Sequence, residues 1–119
     1  GQHLWNEASP ISEVDRYDPA TDEWTQVASL PKPRSHMNAS TFVFDDRIFV
    51  VGGATRNFNL LSDVDTYNPA TNRWSRFGAL PEARGTPVAG FAAGSIISST
   101  GTSDDLVADA KTFSAITVE

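Results

Sequence analysis

The residues of this sequence best suited to bind a ligand are aromatic, arginine, histidine and asparagine side chains in stretches without a regular period. Aromatic rings stack on sugar rings and apolar side chains, and the guanidinium group of arginine pairs with carboxylates through two hydrogen bonds. This mixture is typical of sites for sugars, peptides or small acids. The candidate ligand-binding residues are Trp5, Arg34, His36, Arg56, Asn57, Phe58 and Arg84.

Part of the chain repeats itself after 50 residues. Residues 14–34 and 64–84 are identical at 10 of 21 aligned positions. A weaker echo near the end of the chain places Phe113 at the position of Tyr67. A repeat of this period indicates stacked structural units that bury their faces against each other.

Gly52 and Gly53 are followed by Tyr67 and, seven residues later, by Trp74, an arrangement that resembles the kelch motif. Kelch repeats build the blades of β-propellers from four antiparallel strands, with a period of about 50 residues. The resemblance implies an all-β fold of kelch-type blades, forming a partial propeller or one protomer of an assembled propeller. We expect both tyrosine–tryptophan pairs to lie in the core and to fill the gap to the next blade. The structural residues of the motif are Gly52, Gly53, Tyr17, Trp24, Tyr67 and Trp74.

Apolar runs and turn signals within each repeat predict short β-strands. Residues 42–44 and 48–51 are continuous apolar runs, which predict strands buried on both faces, and their β-branched and aromatic residues disfavour a helix. The sequence from Asp18 to Asp22 predicts a hairpin turn in which Asp22 takes a left-handed backbone conformation. Strands are predicted at residues 13–17, 23–27, 37–44, 47–51, 63–67 and 73–77.

The chain is predicted to hold two to two and a half blades. Residues 1–35 would form the third and fourth strands of a first blade, residues 36–80 a complete blade, and residues 81–119 a degenerate terminal blade. A closed propeller has about 4–8 blades. We therefore expect a piece of a longer propeller or one protomer of an assembly. Its partners would include further blades or other copies of the chain, because exposed apolar faces and strand edges favour association.

The candidate ligand-binding residues are expected to meet at one end of the propeller. The loops between second and third strands and the crossovers between blades must open on the same end, and kelch relatives generally use that end for ligands. Arg34 and Arg84 recur in the repeat, which favours a structural role over direct ligand contact. Residues 56–58 do not recur, so a specific role is equally open for them.

Catalytic and metal-binding patterns are absent from the sequence. It has no nucleophile elbow, P-loop, dinucleotide fingerprint or zinc-protease motif, and it has two histidines and no cysteine. Asp63 and Asp65 share one strand face and are the nearest approach to an acid–base pair. Asp15 holds the same repeat position as Asp65, which favours solvated positions at a turn or strand edge. We predict no catalytic residue, no metal site and no cofactor.

The charge balance also excludes some partners. The net charge is −6 and the isoelectric point is about 4.7, which argues against binding to nucleic acid or to an anionic membrane surface. No apolar run reaches the length of about 18 residues that a membrane span needs. No targeting segment is visible, and the composition leaves the cellular compartment open.

Three functional hypotheses remain open at this point. The first is a non-catalytic binding module that presents the loops of one end to a protein or carbohydrate ligand. The second is a fragment of a kelch-type enzyme similar to a sialic acid mutarotase, in which Arg34, Arg56 or Arg84 would pair with a substrate carboxylate. The third is a structural role, in which copies of the chain assemble to close a ring.

Overall fold

The computed structural model describes residues 9–103 and 111–115, the last four by their backbone alone. These residues form antiparallel strands and two short 3-10 turns, at Asn38–Ser40 and Arg56–Phe58. The strands are β1 Val14–Asp18, β2 Glu23–Val27, β3 Thr41–Phe44, β4 Arg47–Val51, β5 Asp63–Asn68, β6 Arg73–Ala79, β7 Val88–Ala92, β8 Ser95–Ser99 and β9 Thr112–Ala115. The predicted all-β fold is confirmed.

The strands form three sheets in chain order. The first sheet pairs β1 with β2, the second has the order β3-β4-β5-β6, and the third has the order β7-β8-β9. Each neighbouring pair is antiparallel. The second sheet therefore has the four-stranded meander that the kelch resemblance implied.

The two repeated hairpin turns are closed by their own side chains, as their sequences predict. The Asp18 side chain accepts a hydrogen bond of 2.9 Å from the amide of Ala20, and Asn68 accepts an equivalent bond of 3.0 Å from Ala70. Asp22 has the predicted left-handed conformation, with φ of 57°. Aspartate tolerates this conformation better than most residues, so the turn sequence is sufficient to set the hairpin.

The core lies between the second and third sheets. Phe49 and Val51 of β4 are buried against Ile96 of β8, with Phe42 and Phe77 packed at the margin. The prediction that residues 48–51 are buried on both faces is confirmed for residues 49–51, whose side chains are at most 3% exposed.

The corresponding prediction for residues 42–44 is wrong. Val43 is 72% exposed and Phe44 is 38% exposed, because β3 is an edge strand that pairs with β4 on one side only. Phe44 stacks on Phe91 of the third sheet, with 3.6 Å between the ring centroids. The strand also starts later than predicted, since residues 38–40 form a 3-10 turn and the hydroxyl of Ser40 donates to the carbonyl of Val51 at 2.7 Å.

The strand pairing of the third sheet is the same as that of the first three strands of the second sheet, with two differences. β8 aligns with β4, so that Thr100 and Gly101, with φ of 62° and 96°, take the places of the glycine pair. In β9, however, Ala115 pairs with Ile96 as Tyr67 pairs with Ile48. The sequence comparison that placed Phe113 at the position of Tyr67 is therefore wrong by two residues, because Ala115 occupies that position. Residues 116–119 lie outside the described part of the chain.

The tyrosine–tryptophan pairs differ in burial. Tyr67 is 6% exposed and contacts Trp74 across β5 and β6, at a ring-centroid distance of 5.1 Å. The sheet that covers this pair is the preceding one: the indole N–H of Trp74 donates to the carbonyl of Ala28 at 2.8 Å. The prediction that Tyr17 and Trp24 lie in the core is wrong. They are 43% and 70% exposed, because no described sheet precedes the first one.

Candidate functional site

The loops of the first and second sheets meet at one end of the molecule. This end comprises residues 30–36, 52–62 and 80–86, and we call it the loop end. Backbone hydrogen bonds join the three segments: Gly53 N–H, for example, donates to the carbonyl of Arg84 at 2.8 Å. The sheets thus hold the loops in a fixed arrangement.

The glycine pair after β4 allows the loops to approach so closely. Gly52 and Gly53 have φ of 63° and 100°. A Cβ at either position would lie 2.7 Å from a backbone oxygen, that of Arg84 for Gly52 and that of Ser35 for Gly53. Only glycine fits at these positions without displacing a neighbouring loop.

Arg34 lies in the interior and joins the first crossover to the second sheet. Its side chain is fully buried and forms an ion pair with Asp65. It also donates to the carbonyl of Gly52 at 3.3 Å. Asp65 is 4% exposed, so the prediction of a solvated position is wrong for it, because the guanidinium group of the neighbouring crossover compensates the buried carboxylate. Arg34 therefore has a structural role, and its side chain is not accessible to a ligand.

Arg84 occupies the equivalent place at the next crossover and is also in the interior, 1% exposed. Its guanidinium group donates to the carboxylate of Glu82 at 2.8 Å and to the carbonyl of Ala83 at 2.9 Å. The hydrogen bond from Arg84, with help from Lys111, holds the pKa of Glu82 below its usual range, although desolvation acts in the opposite direction. Neither recurring arginine reaches the surface of the loop end.

Each junction between sheets also has an ion pair. The crossover supplies the cation at the first junction and the anion at the second. At the first junction Lys32 Nζ lies 2.8 Å from Asp63 Oδ2. At the second, Glu82 stands in the place of Lys32, and Lys111 Nζ lies 3.5 Å from Glu82 Oε1. Desolvation by burial raises the pKa of Asp63, but the hydrogen bond and charge of Lys32, with the charges of Arg76 and Arg34, outweigh it and lower the pKa. Asp63 is 8% exposed, so it is not solvated as predicted.

Replacing Lys32 by methionine is expected to lower the free energy of unfolding at neutral pH by up to about 1 kcal/mol. Because the pKa of Asp63 is depressed, the contribution of the pair is fully present above the ordinary aspartate value of 3.8. It is lost as the pH falls through the lower folded-state pKa. Urea unfolding at a series of pH values should therefore show the two proteins converging below about pH 4.

Arg73→Met is the matched control, since the exposed Arg73 forms no ion pair within the described residues. Its effect should be small and independent of pH. A difference between Lys32→Met and the unchanged protein that stays constant down to pH 2 would contradict a role for the Asp63 carboxylate.

The loop between β4 and β5 presents residues 56–58 to solvent in a strained conformation. Asn57 and Phe58 are consecutive non-glycine residues with φ of 61° and 57°. The loop is held by a hydrogen bond of 2.8 Å from Thr55 N–H to the Asn59 carbonyl and by one of 3.1 Å from the Asn59 side chain to the Arg56 carbonyl. The exposed residues are thus fixed by the loop itself.

Phe58 and His36 form an aromatic surface at the loop end. Phe58 is 53% exposed, and its ring meets the imidazole of His36 edge-on at a centroid distance of 5.4 Å. The Nδ1 atom of His36 lies 2.8 Å from the hydroxyl of Ser35. His36 is itself left-handed, with φ of 58°. The structure therefore brings together two of the predicted ligand-binding residues, which lie 22 positions apart in the sequence.

A cleft of about 500 Å³ opens between the first crossover and this loop. It contains the cationic side chains of Lys32 and Arg56, and no described residue that lines it is acidic, histidine or aromatic. The described residues that line it are Ser9, Pro10, Lys32, Pro33, Thr55, Arg56, Asn57 and Asn59. Among the predicted residues, Arg56 and Asn57 belong to it, whereas Trp5 lies outside the described part of the chain. Sequence reasoning did not single out Ser9, Pro10 or Thr55, because nothing but their position in loops marks them.

The described ranges 9–103 and 111–115 contain no group of three or more histidine, aspartate or glutamate side chains placed to hold a metal ion. They also contain no helix with the length and hydropathy of a membrane span.

Stacked antiparallel sheets, joined by crossovers that meet at one end, define a partial β-propeller. The family profile described as "Kelch motif" matches residues 5–31 and 36–81, which together make up more than half of the chain. The chain therefore belongs to the kelch-repeat family.

Individual relatives match shorter stretches. The Kelch-like protein terF of Aspergillus terreus is 54% identical over 37 residues, which are 31% of this chain and 8% of that protein. Kelch-like protein 1 of Mus musculus is 48% identical over 40 residues, 34% of this chain and 5% of that protein. Among solved structures, that of YjhT aligns with a TM-score of 0.58 and 26% identity, over 68% of this chain and 24% of that one. The chain thus spans less than a tenth of these curated relatives and about a quarter of YjhT.

Proposed function

We propose that the chain is a non-catalytic interaction module whose loop end binds a partner protein. The observation that carries this proposal is the exposed surface formed by Phe58, His36 and Arg56 beside the cleft. Aromatic and arginine side chains dominate the energetics of protein interfaces, especially when they adjoin a pocket. Arg56 is exposed and forms no ion pair within the described residues, so its guanidinium group is available to a partner.

The conformation of the loop supports this proposal. A non-glycine residue in a left-handed conformation costs of order 1–3 kcal/mol, and such strain concentrates at ligand-binding segments. Phe58 is such a residue, it follows the left-handed Asn57, and the hydrogen bonds around Thr55 and Asn59 hold the loop in place. A loop that is ordered before binding loses less conformational entropy when the partner arrives.

A carbohydrate is the second candidate ligand, and the geometry favours it less. Sugar sites combine polar groups with an aromatic ring on which the sugar stacks. The described lining of the cleft has the polar groups but no ring. A sugar would therefore have to bind across the rim, between the cleft and Phe58.

The enzyme hypothesis retains one of its three candidate arginines. Arg34 and Arg84 are interior residues engaged with the protein itself, so Arg56 is the one left to pair with a substrate carboxylate. No carboxyl or imidazole group lines the described part of the cleft to act as a general acid or base beside it. An anomerisation assay with N-acetylneuraminic acid tests this reading: turnover that Arg56→Ala abolishes would overturn the non-catalytic proposal.

Truncating Phe58 to alanine is expected to weaken partner binding by about 2 kcal/mol or more, because it removes the most exposed ring of the loop end. The binding assay uses peptides selected from a random displayed library against the whole chain, with a glycan array in parallel. Arg56→Ala should reduce the affinity of the same peptides. Isothermal titration calorimetry measures both effects.

Val43→Ala and Arg73→Ala are the matched controls, since both residues are exposed and lie on strands away from residues 56–58. They should leave the affinity unchanged. Selected peptides that bind Phe58→Ala and Arg56→Ala as well as the unchanged chain would refute the loop end as the binding surface. Binding to glycans alone, lost in Phe58→Ala, would replace the protein partner by a carbohydrate.

A further inference from the structure

The hairpins that open the second and third sheets have similar backbone turns and different side chains. β3 and β4 are joined by Asp45 and Asp46, with φ of 50° and 54°, and β7 and β8 by Ala93 and Gly94, with φ of 51° and 78°. Two consecutive left-handed residues are typical of a tight two-residue hairpin turn. Because alanine and glycine form this turn without a charge, the hairpin does not depend on the two carboxylates.

The residues on either side of the two turns differ in the same way. In the strand register, Phe44 lies opposite Arg47 as Ala92 lies opposite Ser95. The second sheet thus has an aromatic ring and three charges where the third sheet has only small residues. The third sheet shows that the hairpin forms without these side chains. They are therefore available for a contact specific to this protein.

The exposure of Phe44 does not result from a missing neighbour. Its ring stacks on that of Phe91, with 3.6 Å between the ring centroids and an interplanar angle of 14°. Both sheets of this junction are therefore present and in contact at this point. The two phenylalanines nevertheless remain 38% and 39% exposed. The stacked rings form an apolar platform that is already ordered before a partner binds.

The charged groups beside this platform are exposed and form no ion pair within the described part of the chain. Asp45 and Asp46 supply two negative charges and Arg47 one positive charge, so the local balance is negative. Carboxylates beside aromatic rings fit the side chain of arginine. Its guanidinium group stacks on an aromatic face and pairs with a carboxylate through two hydrogen bonds, whereas the ammonium group of lysine acts as a compact charge.

We call the surface formed by Phe44, Asp45, Asp46 and Phe91 the Phe44–Phe91 surface. It lies at the end of the molecule opposite the loop end, because its turn precedes β4 whereas the loop end follows β4. The five residues of β4 span about 16 Å. The two surfaces are therefore distinct.

We propose that the Phe44–Phe91 surface binds an arginine-containing segment of a partner protein. A guanidinium group of that segment stacks on the exposed ring of Phe44 and pairs with the carboxylates of the neighbouring turn. This contact is additional to the one proposed for the loop end and does not depend on it.

A blocked peptide with the sequence Gly-Ser-Arg-Arg-Gly-Ser, titrated into the whole isotope-labelled chain, tests this recognition. We expect saturable shifts of the amide signals of Asp45, Asp46 and Phe91 in nuclear magnetic resonance spectra, and none at residues 56–58. The same peptide with lysine in place of arginine should bind at least about twofold more weakly, because it stacks less well. A version with glutamate should not bind. Added salt should weaken binding, since the paired charges are exposed.

Two sets of substitutions separate the side chains from the shape of the hairpin. Phe44→Ala, Asp45→Ala, Asp46→Gly and Arg47→Ser, made together, give the second sheet the turn sequence of the third, so the hairpin should still form. This variant should bind the arginine peptide at least about tenfold more weakly. Asp45→Asn with Asp46→Asn keeps the side-chain shapes and should weaken binding about threefold or more. The amide spectrum of each variant also shows whether it is folded.

Val43→Ala and Glu23→Gln are the matched controls. Val43 is exposed on the opposite face of the same strand, and Glu23 is an exposed carboxylate of the first sheet. Both variants should bind the arginine peptide as the unchanged chain does. Phe58→Ala and Arg56→Ala should do so too, so this experiment and the test of the loop end succeed or fail independently.

Four outcomes would overturn the proposal. The first is the absence of a saturable shift at residues 45, 46 and 91, and the second is equal affinity for the lysine and arginine peptides. The third is unchanged binding by the variant with the turn sequence of the third sheet. The fourth is a concentration-dependent dimer of the natural chain that Asp45→Asn with Asp46→Asn abolishes, because the occupant would then be a second copy.

Discussion

Replacing Asp65 by asparagine is expected to lower the free energy of unfolding by about 3–5 kcal/mol, because it removes the carboxylate that pairs directly with the buried guanidinium group of Arg34. Both side chains of this ion pair are almost fully buried, at 0% and 5% exposure. Asparagine keeps the size and shape of the side chain, so the effect reports the lost charge rather than a cavity. Urea unfolding at neutral pH, followed by tryptophan fluorescence, measures it.

Asp15→Asn is the matched control for this substitution. Asp15 has the same position in the repeat and is exposed, so its replacement should change the free energy of unfolding by no more than about 0.5 kcal/mol. Removing both charges together, with Arg34→Met and Asp65→Leu, should be less damaging than Asp65→Asn alone, since no buried charge then lacks a partner. Equal effects of Asp65→Asn and Asp15→Asn would contradict the assignment of the pair as the link between the two sheets.

Replacing Gly53 by alanine is expected to destabilise the protein by about 3 kcal/mol, through backbone strain and a steric clash together. Gly53 has φ of 100°, a conformation that alanine rarely adopts. The added Cβ would also lie 2.7 Å from the backbone oxygen of Ser35, which cannot move without displacing the first crossover. The measurement is again the free energy of unfolding in urea.

Gly90→Ala separates this effect from the general cost of adding a methyl group. Gly90 lies in β7, has no positive φ, and a Cβ there would meet no atom within 4 Å. Its replacement should be neutral or stabilising, by no more than about 1 kcal/mol, because alanine restricts the unfolded chain. If Gly53→Ala proved as mild as Gly90→Ala, the loops of the loop end would not depend on the close approach at Gly53.

Arg34, Asp65 and Gly53 fix the crossovers, and the residues proposed to bind a partner lie on the loop that they hold. This division explains why Arg34 and Arg84 recur with the repeat, whereas Arg56 and Phe58 do not. A recurring residue serves the contact that every junction must make. A residue that appears once is free to serve a contact specific to this protein.

Local structure could be predicted from the sequence because it depends on residues that are close together in the chain. The Asp18–Asp22 turn needs only its own side chains and backbone conformations, and the prediction for Asp22 was correct. β4 and β5 were predicted from apolar runs, turn signals and the position of the glycine pair. The kelch family followed from the same motif, since its glycines and aromatic residues have fixed spacing.

The tertiary structure decided whatever depends on how one sheet packs against another. Arg34 and Asp65 lie 31 positions apart, so no local pattern pairs them. The exposure of Val43 and Trp24 follows from which strand is an edge and which face has a neighbour, and the position of Phe113 follows from hydrogen-bond register. A repeat in the sequence therefore defines the unit and its internal geometry, but burial, ion pairing and the shape of the cleft arise at the junctions. The physical reason is that hydrophobic and electrostatic contributions depend on the surface removed from water, and that surface exists only once the sheets are assembled.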